Sequence, residues 1–259
     1  MKLDKSSNPI FSGKAFKQMD FSFAQTERMT IEGAMNKTAI LLLLAVLSAA
    51  YVWNQFFGAF NPAYPGEAIA AITPYMLIGG IGGFIVALIT VFSPARSAVL
   101  APIYALLEGL FLGGISAVLE MQFGQGLVMR AVGLTFGVFA LMLVLYRNRT
   151  LRATGKFRMG VMAATGGIAL VYFISFIASL FGANMGFMYG NSLMAIGFSL
   201  FVVVIAALNL ILDFDFIERA SESGAPKYME WYGAFGLMVT LVWLYLEILK
   251  LLARLSSRD

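Results

Sequence analysis

The chain has 259 residues, of which 60% are apolar and only 12% charged, with a net charge of +4. A soluble domain carries roughly 45–50% apolar and about 25% charged residues, so a soluble fold would lack the polar surface to cover its core. His and Cys are absent, which excludes imidazole bases, thiol nucleophiles, disulfides and His/Cys metal sites, and leaves any pH response to carboxylates or lysines.

The expected architecture is an all-α membrane protein with seven transmembrane helices, preceded by a polar tail. Residues 1–36 form that tail, with Lys2, Lys5, Lys14 and Lys17 set among Ser, Asn and Phe. They lack the charged start, apolar core and cleavage site of a secretory signal, so the tail is expected to stay on the side where it is made. The membrane domain then occupies residues 37–259.

The first apolar run, 38–57, is uncharged for 20 residues and long enough for one span. Pro62 and Pro65 follow it. The run 68–95 contains a second span at about 73–92, and a third covers about 99–119 with Glu108 near its middle. The fourth runs from about 127 to 146 and ends in a basic loop holding Arg147, Arg149, Arg152, Lys156 and Arg158. Residues 159–212 are uncharged for 54 positions, too long for one helix, and the Gly-rich stretch 182–191 divides them into spans five and six. Gly224 and Pro226 mark the last break, before a seventh span within about 231–252.

Lys and Arg set the orientation. With the N-terminus in the cytoplasm, 14 of the 18 fall on the inner side. Seven spans put the C-terminus outside, where Lys250, Arg254 and Arg258 run against the rule; a re-entrant last segment would return it to the inside. The basic residues lie at the edges of apolar stretches, where topology accounts for them, so no nucleic-acid partner is expected. The lipid bilayer is the expected partner. Gly79 with Gly83 and Gly109 with Gly113 have the small-xxx-small spacing that brings helix backbones together. Trp53, Trp231 and Tyr146 suit the interfacial aromatic belt.

Acids inside apolar helices carry more information. An ionised carboxylate at mid-bilayer costs roughly 3 kcal/mol by insertion scales, so such groups face the bundle interior, pair, or stay protonated. Glu108 and Glu247 lie inside spans, with Asp213 and Asp215 at the inner end of the sixth. Asn209 and Asp213 are four residues apart, on one helix face, whereas Asp215 points about 200° from Asp213. A row of oxygen-bearing side chains suits a proton relay or a hard-cation path, because Ca²⁺ prefers oxygen ligands. Glu108 alone reads as a protonated, hydrogen-bonded packing residue. No cofactor is expected, with calcium only as a permeant ion.

The last third starts at Ala207 as ALNLILDFDFIE and continues at Lys227 as KYMEWYGAFGLMVTLVWLYLEILKLLARL. With SNPIF, MTIEGAMNKT and APIYALLEGLFLGGIS, these stretches resemble the Bax inhibitor-1-like family, the transmembrane Bax inhibitor motif proteins, in its bacterial branch. The resemblance implies seven helices with the last surrounded by the other six, in the bacterial inner membrane. It also implies a pH-sensitive calcium leak gated by two acids that share one proton. Asp213 and Ile217 match the first acid's D-x-x-x-I pattern, and Glu247 in LYLE matches the second acid's LYLD. Asp213 and Glu247 would then gate and hold the calcium ion, with Asn209, Asp215 and Glu108 along its path. Two departures bear on this: Glu replaces Asp at the second position, and the connection between the acids is longer, at 34 residues, with SESGAPKYMEW inserted. A seventh helix starting at Trp231 places Glu247 about 24 Å along it, in the outer half.

Some relatives are instead regulators that bind a membrane protease or stress-response partner, for which the tail is a handle. An enzyme is not expected: a rhomboid-type Ser–His pair cannot form without His, the GxGD motif of intramembrane aspartyl proteases is missing, and no side-chain set meets the geometric roles of a catalytic site.

Overall fold

A computed structural model describes residues 28–124, 126–182, 190 and 192–257. Most of the expected tail and most of the 182–191 divider lie outside the described residues. Among the described residues, seven helices are long and apolar enough to cross a membrane: α1 (Ile31–Gly58), α2 (Pro65–Phe92), α3 (Ser97–Phe123), α4 (Leu127–Arg147), α5 (Gly155–Leu180), α6 (Leu193–Glu222) and α7 (Met229–Ser256). A short 3₁₀ turn, Pro94–Arg96, links α2 to α3.

Several helices overrun the apolar stretches that announce them. α1 begins at Ile31, where the Thr30 hydroxyl caps it by accepting the Gly33 N–H. α6 continues past Asp213 to Glu222. An i,i+4 pair between Asp215 and Arg219 and the Glu218–Arg149 pair hold this extension, so hydropathy alone does not register it. A helix of 28 residues spans about 42 Å, beyond the roughly 30 Å hydrocarbon core, and its ends reach the headgroups. α7 is one continuous helix, not a re-entrant segment.

Lipid is as apolar as leucine, so close packing and polar bonds, not expulsion of apolar surface from water, hold the bundle together. Glycine makes the closest approaches. Gly109 and Gly113 of α3 lie against the backbone of Ala45 and Ala49 in α1, and Gly79 of α2 lies against the Leu107 carbonyl of α3. α7 is the buried centre: 56% of its most apolar window is inside the protein, against 17% for α2, α4 and α5. It packs directly on α1, α3, α4 and α6, while α2 rests chiefly on α3 and α5 on α6. Leu210, Ile211, Phe214 and Ile217 of α6 meet Leu237, Leu241, Leu244 and Ile248 of α7 in the main core. The opposite faces of the outer helices, including Leu77, Ile81 and Phe84 of α2, are exposed.

The segment just before α1 closes the basic end of the bundle. Met29 N–H donates to the Ala225 carbonyl at 2.8 Å, and the Ser221 hydroxyl donates to the Met29 carbonyl. Arg28 bridges Pro226 in antiparallel fashion.

The glycine seams give a direct test. A Cβ on Gly113 would lie 2.4 Å from the Ala49 carbonyl oxygen, whereas one on Gly133 would meet nothing within 4 Å. Thermal unfolding in detergent should therefore show Gly113→Ala losing about 2 kcal/mol from overpacking, with Gly133→Ala unchanged or slightly more stable.

Candidate functional site

α6 and α7 run antiparallel through the tight turn at 223–228, which fixes which residues face each other. Ile217 packs on Gly233 near the turn. The Thr240 hydroxyl lies beside the Asp213 carboxylate. At the far end Arg254 donates to the Ala195 carbonyl at 2.7 Å and to the Ser199 hydroxyl. This register sets Asp213 against Thr240 and carries Glu247 seven residues further, about 10 Å along the α7 axis.

Each acid therefore has its own surroundings. Asp213 Oδ2 is buried and without a hydrogen-bond partner. Glu247, 1% exposed, accepts the Tyr172 hydroxyl of α5 at 3.0 Å and pairs with Lys250 at 2.8 Å. Its second oxygen, Oε2, is also buried and unpartnered. The Lys250 ammonium lies over the Tyr172 ring, 5.1 Å from its centre, so one tyrosine receives both members of the ion pair. Between the two acids, Asn209 donates to the Thr165 hydroxyl of α5 at 2.8 Å and to the Ile205 carbonyl at 2.9 Å. A file of polar groups thus runs along α6 where α5 and α7 flank it, with the carboxylates at separate levels.

Residues 8–257 match the family described as Bax inhibitor 1 like. The chain belongs to the Bax inhibitor 1 like family. No match was found among curated proteins.

In this Bax inhibitor 1 like protein, the α6–α7 register sets the two acids expected to share a proton at different levels of α7. The reason is the longer connection: α6 runs two turns beyond Asp213 and α7 starts at Met229, so the hairpin places Thr240 where the shared proton would need Glu247. Asn209 and Asp213 do not act on one neighbour either. α6 lies at a seam, and the offset of about 40° between positions four apart turns Asn209 to α5 and Asp213 to α7.

Asp215 is taken up by two guanidiniums, Arg158 at 2.5 Å and Arg219 at 3.0 Å, and offers no free oxygens to a row. Glu108 stands apart at the α2–α3 seam, close to Gly83. Its expected hydrogen bond is not found among the described residues. Nor do any three carboxylates there gather into a metal cluster, so Asp213 and Glu247 would each need further oxygens to hold calcium.

Sequence reasoning missed the most heavily bonded acid. Glu230 in the first turn of α7 is fully buried. It pairs with Lys37 of α1 and with Lys227 at 2.9 Å, and it accepts both the backbone N–H and the hydroxyl of Thr30 at 2.9 Å. It ties the start of α1 to the start of α7. Its signal was weak, an acid in KYMEW beside a span, because nothing local reveals that MTIEGAMNK folds over it. Tyr172 was equally silent, one hydroxyl within an uncharged run.

Two of the three basic residues that break the topology rule now have a structural reason. Lys250 is spent on Glu247 and Arg254 on the end of α6; Arg258 lies outside the described residues.

Removing Glu230 would strand Lys37 in a closed site. Glu230→Ala should cost about 3 kcal/mol, the usual penalty for breaking a buried ion pair, read as a lower melting temperature of the solubilised protein.

Proposed function

We propose that this protein is a pH-sensitive cation leak of the bacterial inner membrane, with calcium as the permeant ion and Asp213 and Glu247 as its gating acids. The observation that carries the reading is the pair of buried carboxylate oxygens, Asp213 Oδ2 and Glu247 Oε2, left without partners in the α5–α6–α7 file. A carboxylate held in apolar surroundings with an unpartnered oxygen needs a proton, a cation or water. A path that opens along this file supplies the last two.

On this reading the structure is the closed state. Protonated Asp213 lets α6 and α7 pack against each other, and its deprotonation loosens the hairpin and turns an oxygen toward a cation. Lys250 sits where a permeant cation would meet Glu247, as an internal plug held by Tyr172. The cluster of Arg96, the 147–158 loop, Arg219 and Lys227 at one end of the bundle supports a cytoplasmic N-terminus.

Liposomes loaded with a calcium dye test the mechanism. Asp213→Asn should give low flux with no pH dependence, Lys250→Met should raise flux, and Glu247→Gln should change flux while leaving its pH dependence in place. Because the acids stand at levels about 10 Å apart along the α7 axis, the double variant Asp213→Asn with Glu247→Gln should show additive effects. Unchanged flux and pH dependence in both single variants would eliminate the mechanism.

The competing reading is a non-transporting regulator that binds a membrane protease or stress-response partner. What favours it is the docking of residues 28–30 on the α6–α7 turn, which would pass a pull on the tail to α7 through Thr30 and Glu230. Deleting residues 1–27 abolishes partner capture on that reading and leaves flux intact on ours.

A further inference from the structure

The basic end holds a second polar site that the gating acids do not use. Between the α4–α5 loop and the end of α6 lies a cavity of about 430 Å³ lined by Tyr146, Arg149, Arg152, Thr154, Asp215 and Arg219. Two of the lining guanidiniums, those of Arg149 and Arg219, are held by carboxylates. Arg149 reaches Glu218 with both terminal nitrogens, at 2.6 and 3.3 Å, and Tyr146 donates to the same carboxylate. Arg219 and Arg158 both hold Asp215. Arg152 is anchored only by its Nε, which donates to the Arg149 carbonyl at 3.3 Å; among the described residues it forms no ion pair.

The charge does not balance. Three guanidiniums share two carboxylates and the fourth, Arg152, has none, with Glu222 further from Arg149. Arg158 Nε is buried with no partner. Thr154 is the N-cap of α5, whose first turn carries no acid and has Lys156 in it, so the helix adds its positive end to the same place. Arg149 has φ of 56°, the one non-glycine residue in the left-handed region among the described residues. Such strain costs about 1 kcal/mol or more and collects at ligand clamps. Here it turns the loop so that Arg149 and Arg152 line the same cavity.

We propose that this cavity binds a phosphate group, with Arg152 as its main free donor and Arg149 and Arg219 as a prepositioned fork. Guanidinium geometry matches paired phosphate oxygens. The site sits at the headgroup level of the basic end, so the phosphate belongs either to an anionic phospholipid of that leaflet or to a small soluble phosphate compound.

The full-length protein distinguishes these sources. In detergent, inorganic phosphate is titrated against chloride at equal ionic strength, with melting temperature as readout. In nanodiscs, retention of phosphatidylglycerol over phosphatidylcholine is read by native mass spectrometry. A phosphate-specific rise in melting temperature supports a soluble ligand, and selective retention of phosphatidylglycerol supports the lipid. In either arm Arg152→Ala should weaken binding by about tenfold, as expected for loss of one charge-assisted hydrogen bond. Arg152→Lys should restore only part of it, because an ammonium lacks the fork. Arg130→Ala, at the opposite end, should change nothing. Equal melting temperatures in phosphate and chloride together with no lipid preference would overturn the proposal, and so would binding that Arg152→Ala leaves intact.

Discussion

Everything in this protein follows from one constraint: a charge carried into lipid must be met by the protein itself, because no water is there to meet it. The chain keeps few charges, and the structure accounts for them individually. Glu230 is met by Lys37, Lys227 and Thr30; Glu247 by Lys250 and Tyr172; Asp215 by Arg158 and Arg219; Glu218 by Arg149 and Tyr146. Against that background Asp213 stands out with Glu108: neither has an ion-pair or hydrogen-bond partner among the described residues, and Asp213 Oδ2 is buried.

The pairs also explain how the bundle is assembled. Glycine seams let α1, α2 and α3 pack backbone to backbone, which makes a rigid half. α5 is different: it rests mainly on α6, buries only Val161, Ile168 and Ser175, and reaches the centre through Thr165 and Tyr172. The polar file therefore lies between a firmly packed hairpin and a lightly held helix, the arrangement in which a small displacement opens a path at least cost. The basic cavity sits at the root of that same helix, so whatever occupies it bears on the position of α5.

Much of this was legible in the sequence. Seven spans, the glycine seams and the acids worth attention came from run lengths, spacing and the cost of charge in lipid. Helix ends were not legible, since α1 and α6 continue through charged residues that tertiary ion pairs stabilise and hydropathy penalises. The relative level of the two acids was not legible for a related reason. Matching Asp213 and Glu247 to two family motifs says nothing of hairpin register, and register depends on where the turn falls: α6 runs on to Glu222 and the chain turns at Gly224, φ 69°. Partners contributed from across the bundle, such as Tyr172 for Glu247 and Thr30 for Glu230, carry no local signature.

The chain's lack of cysteine makes the decisive measurement simple. Cysteines introduced in pairs into the membrane-embedded protein report which side chains face each other, because a disulfide forms only when the two Cα atoms lie within about 7 Å. Oxidation should cross-link Asp213→Cys with Thr240→Cys efficiently and leave Asp213→Cys with Glu247→Cys unlinked. The opposite pattern would mean that the two acids meet after all, and that the separate-level arrangement of the file is wrong.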